Sequence, residues 1–121
     1  MESSLTFEST TRPDGTMILA MIGAADIHAG SALERQLTIL CAKRPPHVVF
    51  DLSRLAFISS LCMGSMVTIA RSCKGWHGRA TIAAAQPTVA AMFKHARIDA
   101  LIPIVATVEE AVGPAQVPSS P

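Results

Sequence analysis

The 121-residue chain has no tyrosine, one tryptophan and four phenylalanines, and only 16% of its residues are charged. Single-stranded nucleic acid is gripped by aromatic platforms set among dense positive charge. With so few rings and a net charge of +1, the chain is not expected to bind nucleic acid. Long apolar runs are missing as well. The best of them, Met17–Ala25, falls far short of the roughly 18 residues of a spanning helix, so no direct membrane insertion is expected. The mean hydropathy of +0.39 is better explained by alanine and methionine in a buried helical layer. The start, Met1-Glu2-Ser3-Ser4, offers an acid and no basic, apolar leader, which predicts a cytoplasmic location.

Cysteine is scarce and unpatterned. Cys41, Cys62 and Cys73 are odd in number and show neither Cys-x-x-Cys nor Cys/His metal spacing, which argues against a disulfide framework or a zinc site and marks them as small buried residues. Gly64-Ser65 lacks the lysine of a phosphate loop, and no cofactor is expected. An enzyme would need Ser60 or Cys62 as nucleophile with His28, His77 or His95 as base. No nucleophile-elbow glycine pattern surrounds Ser60, and none of the three histidines stands at a recognisable spacing from it, so this is the weakest reading. Residues 51–99 carry six bases against Asp51 and Asp99. A solvated surface accounts for them, with an acidic protein partner as the functional alternative.

What is present is an alternation of strand-like and helix-like patterns. Leu5-Thr6-Phe7 reads as a strand, Pro13-Asp14-Gly15 as a turn, and residues 16–22 as the second arm of a hairpin. Ser31 and Glu34 have capping-box spacing, and Leu33, Leu37, Leu40 and Cys41 form one apolar stripe, which predicts a helix over 31–42. Pro45-Pro46 cannot continue it, and residues 47–52 read as a buried strand. A second helix is expected over 60–74, burying Met63, Met66, Val67, Ala70 and Cys73 and stopped by Gly75. Residues 80–84 follow as a strand, and a third helix opens at Pro87 with Val89, Met92, Phe93 and Ala96 on its apolar face. A last strand over 102–105 lies at an edge because of Pro103. Thr107 to Glu110 is another capping box. The pattern gives an α/β domain over 1–112, with a mixed sheet of four to five strands packed against about four helices, and a Pro/Ser-containing tail, 113–121, expected to be flexible.

In such sheets, sites gather at the carboxyl ends of the strands. There stand Gly23-Ala-Ala-Asp26 and Phe57-Ile-Ser-Ser-Leu-Cys-Met-Gly64. Ser60 falls at or next to a helix N-terminus, where unsatisfied N–H groups favour an oxygen or an anion, although Ser59 could be the cap instead.

The run from Val48 to Gly64 resembles the signature of the STAS domain of anti-sigma-factor antagonists, a strand ending in Asp-Leu, then a hydrophobic pair, then Asp-Ser-(Ser/Thr)-Gly-Leu-Gly. Gly23-Ala-Ala-Asp26 resembles the family's Gly-Glu-Leu-Asp turn. Arg97-Ile-Asp-Ala-Leu-Ile-Pro-Ile104 with Glu109-Glu-Ala111 resembles its ending. The resemblance implies a non-enzymatic protein that docks onto an anti-sigma-factor serine kinase or other signalling protein and is switched by phosphorylation of Ser60, or less readily Ser59. It also implies a docking surface formed by Asp26, Ser59, Ser60, Leu61, Cys62 and Met63. Ser59 stands where the motif has Asp, Leu61 where it has Ser/Thr, and Cys62 where it has Gly. These departures support the alternative, a STAS scaffold or accessory subunit of a transporter or signalling complex that phosphate does not switch.

Overall fold

The computed structural model describes residues 5–112; the expected tail at 113–121 lies outside them. The chain begins with a hairpin, β1 (Leu5–Thr11) antiparallel to β2 (Met17–Ala25), with Leu5 opposite Gly23 and Thr11 opposite Met17. Its turn is closed by Gly15 N–H donating to the Arg12 carbonyl at 2.9 Å and Thr16 N–H donating to Asp14 Oδ1 at 2.9 Å. Gly15 adopts φ 92° there, a conformation that L side chains resist.

A 3-10 turn, Ile27–Ala29, then leads into α1 (Gly30–Ala42). The expected box at Ser31 and Glu34 does not form. The helix starts one residue earlier, and Asp26 caps the preceding turn instead, its Oδ1 accepting from the amides of His28 (3.0 Å) and Ala29 (3.1 Å). Leu33, Leu37 and Leu40 are buried as the stripe predicts, while Cys41 is half-buried.

Strand β3 (His47–Asp51) pairs parallel to β2, and β5 (Arg79–Ala83) pairs parallel to β3. Between them the chain forms β4 (Leu55–Ile58), which pairs with the far end of β2, and α2 (Ser60–Gly75). Next come α3 (Pro87–His95), a 3-10 turn at Ile98–Ala100, the two-residue strand β6 (Ile104–Val105) and α4 (Val108–Val112). The sheet order is β1-β2-β3-β5-β6, with β4 attached to β2. The α/β class and the mixed sheet are as the sequence predicts, and among the described residues the sheet has six strands, one more than the upper number expected. The addition is β4, whose four residues bury only Leu55 and Ile58 and so give no alternating signal.

Strand alternation divides the core. Leu19, Met21, Val48, Phe50 and Ile82 pack with α1, α2 and α3, whereas Val49 and Ala83 meet Ala111 of α4. On α2 the inward residues are Cys62, Met63, Met66, Ile69, Ala70 and Cys73. Val67, expected among them, is only half-buried, because the inward stripe turns toward Ile69. Ala96 is exposed beyond the end of α3. Gly75 does not stop α2 but is its last residue. The stop is made by His77, whose φ of 64° lets its N–H reach the Lys74 carbonyl (3.1 Å) and the Gly78 N–H reach that of Cys73 (2.7 Å). The box at Thr107 and Glu110 forms with its return bond displaced by one residue: Glu110 N–H donates to Thr107 Oγ1 at 3.0 Å, while Glu110 Oε1 accepts from the amide of Ala106, the residue before the cap, at 3.0 Å.

Candidate functional site

Strands β2 and β4 end side by side, Ala25 opposite Ile58, and each runs directly into helical structure. The Ser59 amide donates to the Ala25 carbonyl at 2.8 Å, which fixes where α2 starts. Gly23, at φ 108°, sits at the register shift where the pairing with β4 becomes irregular.

The two serines at this junction have separate roles. Ser59 is the N-cap: its backbone is extended and its Oγ accepts from the Cys62 amide at 3.2 Å. Ser60 is the first helical residue and is exposed, and among the described residues its hydroxyl has no hydrogen-bond partner. The first-turn amides of Ser60 and Leu61 likewise have no acceptor among those residues. They and the positive end of the helix dipole can stabilise an anion held there.

The remaining candidates divide by depth. Cys62 is fully buried and Met63 is 6% exposed, so neither is presented to a partner. Both support the surface from beneath, and the Cys62 thiol points at the Asp26 carbonyl, 3.7 Å away. That contact joins the end of β2 to the start of α2. Asp26 is half-buried and its carboxylate is engaged by the two amides of the turn it caps.

Leu61 is 52% exposed and leans over the start of α1, where a Cβ on Gly30 would come within 3.1 Å of Leu61 Cδ2. Ile27 (67% exposed) and Phe57 (44% exposed) lie on the adjoining turn and strand. The sequence reading missed both, since a hydrophobic residue carries no mark of exposure until its neighbours are placed. A groove of about 490 Å³ runs from Ser60 and Leu61 between α1 and α2, past Glu34, Thr38 and Thr68. The site is therefore an exposed hydroxyl at a helix N-terminus amid exposed apolar side chains. Among the described residues, no group of three or more His, Cys, Asp or Glu side chains could hold a metal ion. His77, offered as a base for Ser60, stands just beyond the other end of this 16-residue helix, which is about 24 Å long at 1.5 Å per residue.

Comparison with known proteins identifies this architecture. The STAS domain family model matches residues 9–111, and the chain belongs to that family. An anti-sigma factor antagonist from Mycobacterium paratuberculosis has a similar fold, with a TM-score of 0.82 and 23% identity over 90% of this chain and 92% of that one. SpoIIAA is similar in its unphosphorylated form (TM-score 0.75, 22% identity, 88% and 93% covered) and in its phosphorylated Bacillus form (0.69, 20%, 88% and 96%). A sulfate transporter family protein from Wolinella succinogenes matches with a TM-score of 0.68 and 15% identity, covering 84% and 85%. A search of curated proteins finds no match. Among the described residues, no helix is long and apolar enough to cross a membrane.

Proposed function

We propose that the protein acts in the cytoplasm as an anti-sigma-factor antagonist, docking through the surface around Ser60 onto an anti-sigma-factor serine kinase that phosphorylates Ser60 and is thereby released. The observation that carries this reading is the division of roles at α2: Ser59 holds the cap, so the exposed Ser60 hydroxyl is free for chemistry at no cost to the fold. The exposed Ile27, Phe57 and Leu61 supply the apolar contact that a partner would cover. A phosphate adds about −1.5 to −2 charges, which the α2 amides accommodate but a desolvated interface does not. Binding then weakens with little change in fold.

Calorimetric titration of the cognate kinase tests this. Ser60→Ala should bind near normally and Ser60→Asp much more weakly, with phosphopeptide mapping after kinase treatment placing phosphate on Ser60. If both variants bind alike and no phosphate appears, the switch is absent. The second reading, an unswitched STAS scaffold or transporter accessory, is favoured by Leu61 and Cys62 in place of the motif's Ser/Thr and Gly. The Cys62 side chain fills core that Gly would leave empty.

A further inference from the structure

Among the described residues, three of the four non-glycine residues with positive φ occupy the same position in three different helices. Arg44 (φ 45°), His77 (φ 64°) and Arg97 (φ 61°) each follow the C-cap residue of α1, α2 and α3, which are Lys43, Trp76 and Ala96. A left-handed residue there lets the last turn close, and glycine is its usual occupant because a Cβ is strained in that conformation. Glycines stand close by at 75 and 78, yet the strained position itself carries an imidazole. Bases in a last turn are explained by the helix dipole, and Lys74 and Lys94 already meet that need in α2 and α3, whereas the last turn of α1 carries none. The dipole does not require a base where glycine would relieve strain.

The three helix ends lie at one end of the molecule. Strands β2, β3, β5 and β6 are parallel and in that order, so the helices between them run back and end opposite Ser60. Direct contacts connect the ends. Pro45, next to Arg44, accepts from the Trp76 indole at 2.8 Å, and the turn after Arg97 brings Asp99 and Leu101 to the depression lined by Lys74 and Arg79. Lys43, Arg44, Lys74, Arg79, Lys94 and Arg97 are all exposed. The one ion pair among the described residues, Arg54 with Glu8, involves none of them. Arg12 of the hairpin turn adds a seventh base, and the carboxylates nearby are Asp14, Asp99 and Glu110.

We infer that this basic end is a docking surface for an anionic lipid bilayer. A protein partner would need an apolar centre, but Ile39 and Leu101, the large exposed hydrophobics toward this end among the described residues, sit on separate elements. Single-stranded nucleic acid would need aromatic platforms, and Trp76 is half-buried with its indole held by Pro45. A bilayer presents a plane of negative charge that bases on three separate helix ends meet together, each contributing on its own account. Ser60, at the far end of the sheet, stays open to solvent in this orientation.

Sedimentation with vesicles of phosphatidylcholine alone, or mixed with phosphatidylserine, tests the inference. Binding should require phosphatidylserine and be released by high salt. The triple variant Arg44→Gly, His77→Gly, Arg97→Gly should melt no lower than the parent, because strain is relieved, yet lose about thirty-fold in vesicle affinity, as expected for two Lys/Arg charges. Arg35→Gln with Arg54→Gln removes the same two arginine charges elsewhere and should bind like the parent. Arg44→Gln with Arg97→Gln, which keeps side chains at both positions, gives the affinity result if the glycine variant folds poorly. The inference is overturned if no binding depends on phosphatidylserine, if both pairs of arginine losses weaken it equally, or if duplex RNA or poly-glutamate is bound in preference.

Discussion

Ser59 Oγ lies 3.2 Å from the amide of Cys62, so the serine that precedes α2, and not the one that begins it, holds the helix start. Ser59→Ala should therefore lower stability by about 1 kcal/mol in urea denaturation, while Ser60→Ala stays within a few tenths. Equal losses would mean that Ser60 shares the cap, and its hydroxyl would then not be free for modification.

The inward face of α2 makes a graded prediction. Met66 is fully buried and Val67 half-buried, so Met66→Ala should cost about 2–5 kcal/mol and Val67→Ala no more than about 1. A larger loss at Val67 in the same denaturation series would put the helix in a different phase.

His47, buried at the start of β3, shares a 2.8 Å hydrogen bond with Thr81 Oγ1. Burial, then the nearby Arg79 guanidinium, push its pKa down from 6.5 to about 4. The unfolded chain thus binds a proton that the folded chain refuses between those values. The contribution is fully present above pH 6.5 and is lost as pH falls toward 4, by no more than about 3 kcal/mol. His47→Gln should flatten this slope in urea titrations at pH 7 and 4.5. An unchanged slope would assign it to other groups.

The thiols should be slow to react in the folded protein. Burial, helped by the neighbouring Cys41, pushes the Cys73 pKa up to about 11, and burial also raises that of Cys41. Thiolate is the reactive form, and Cys62 is fully buried. Colour development with a disulfide reagent at pH 8 should be slow in buffer and rapid for three thiols in urea. Rapid labelling of Cys73 in buffer would mean that α2 opens locally.

Much of this architecture was legible in local signals. The Leu33, Leu37 and Leu40 stripe, the proline stop at Pro45-Pro46, Pro87 opening α3 and the Thr107 box all act within a few residues of themselves, so their meaning survives without a tertiary context. The capping signal at Ser31 failed because a second signal, Asp26, lay five residues upstream. Only the path of β2 decides which of the two meets the free amides.

The sequence by itself determined the α/β alternation, the helix that Ser60 begins and the likeness to the STAS signature, because periodicity, caps and breakers are properties of neighbouring residues. Only the tertiary structure decided that Ser59 rather than Ser60 is the cap, that Ile27, Phe57 and Leu61 face out, and that β4 exists at all. The physical reason is that a four-residue strand, or a hydrophobic residue left in water, gets its environment from distant partners. Strand β4 forms because the edge of β2 extends beyond β3, and pairing there satisfies backbone groups that no local pattern announces.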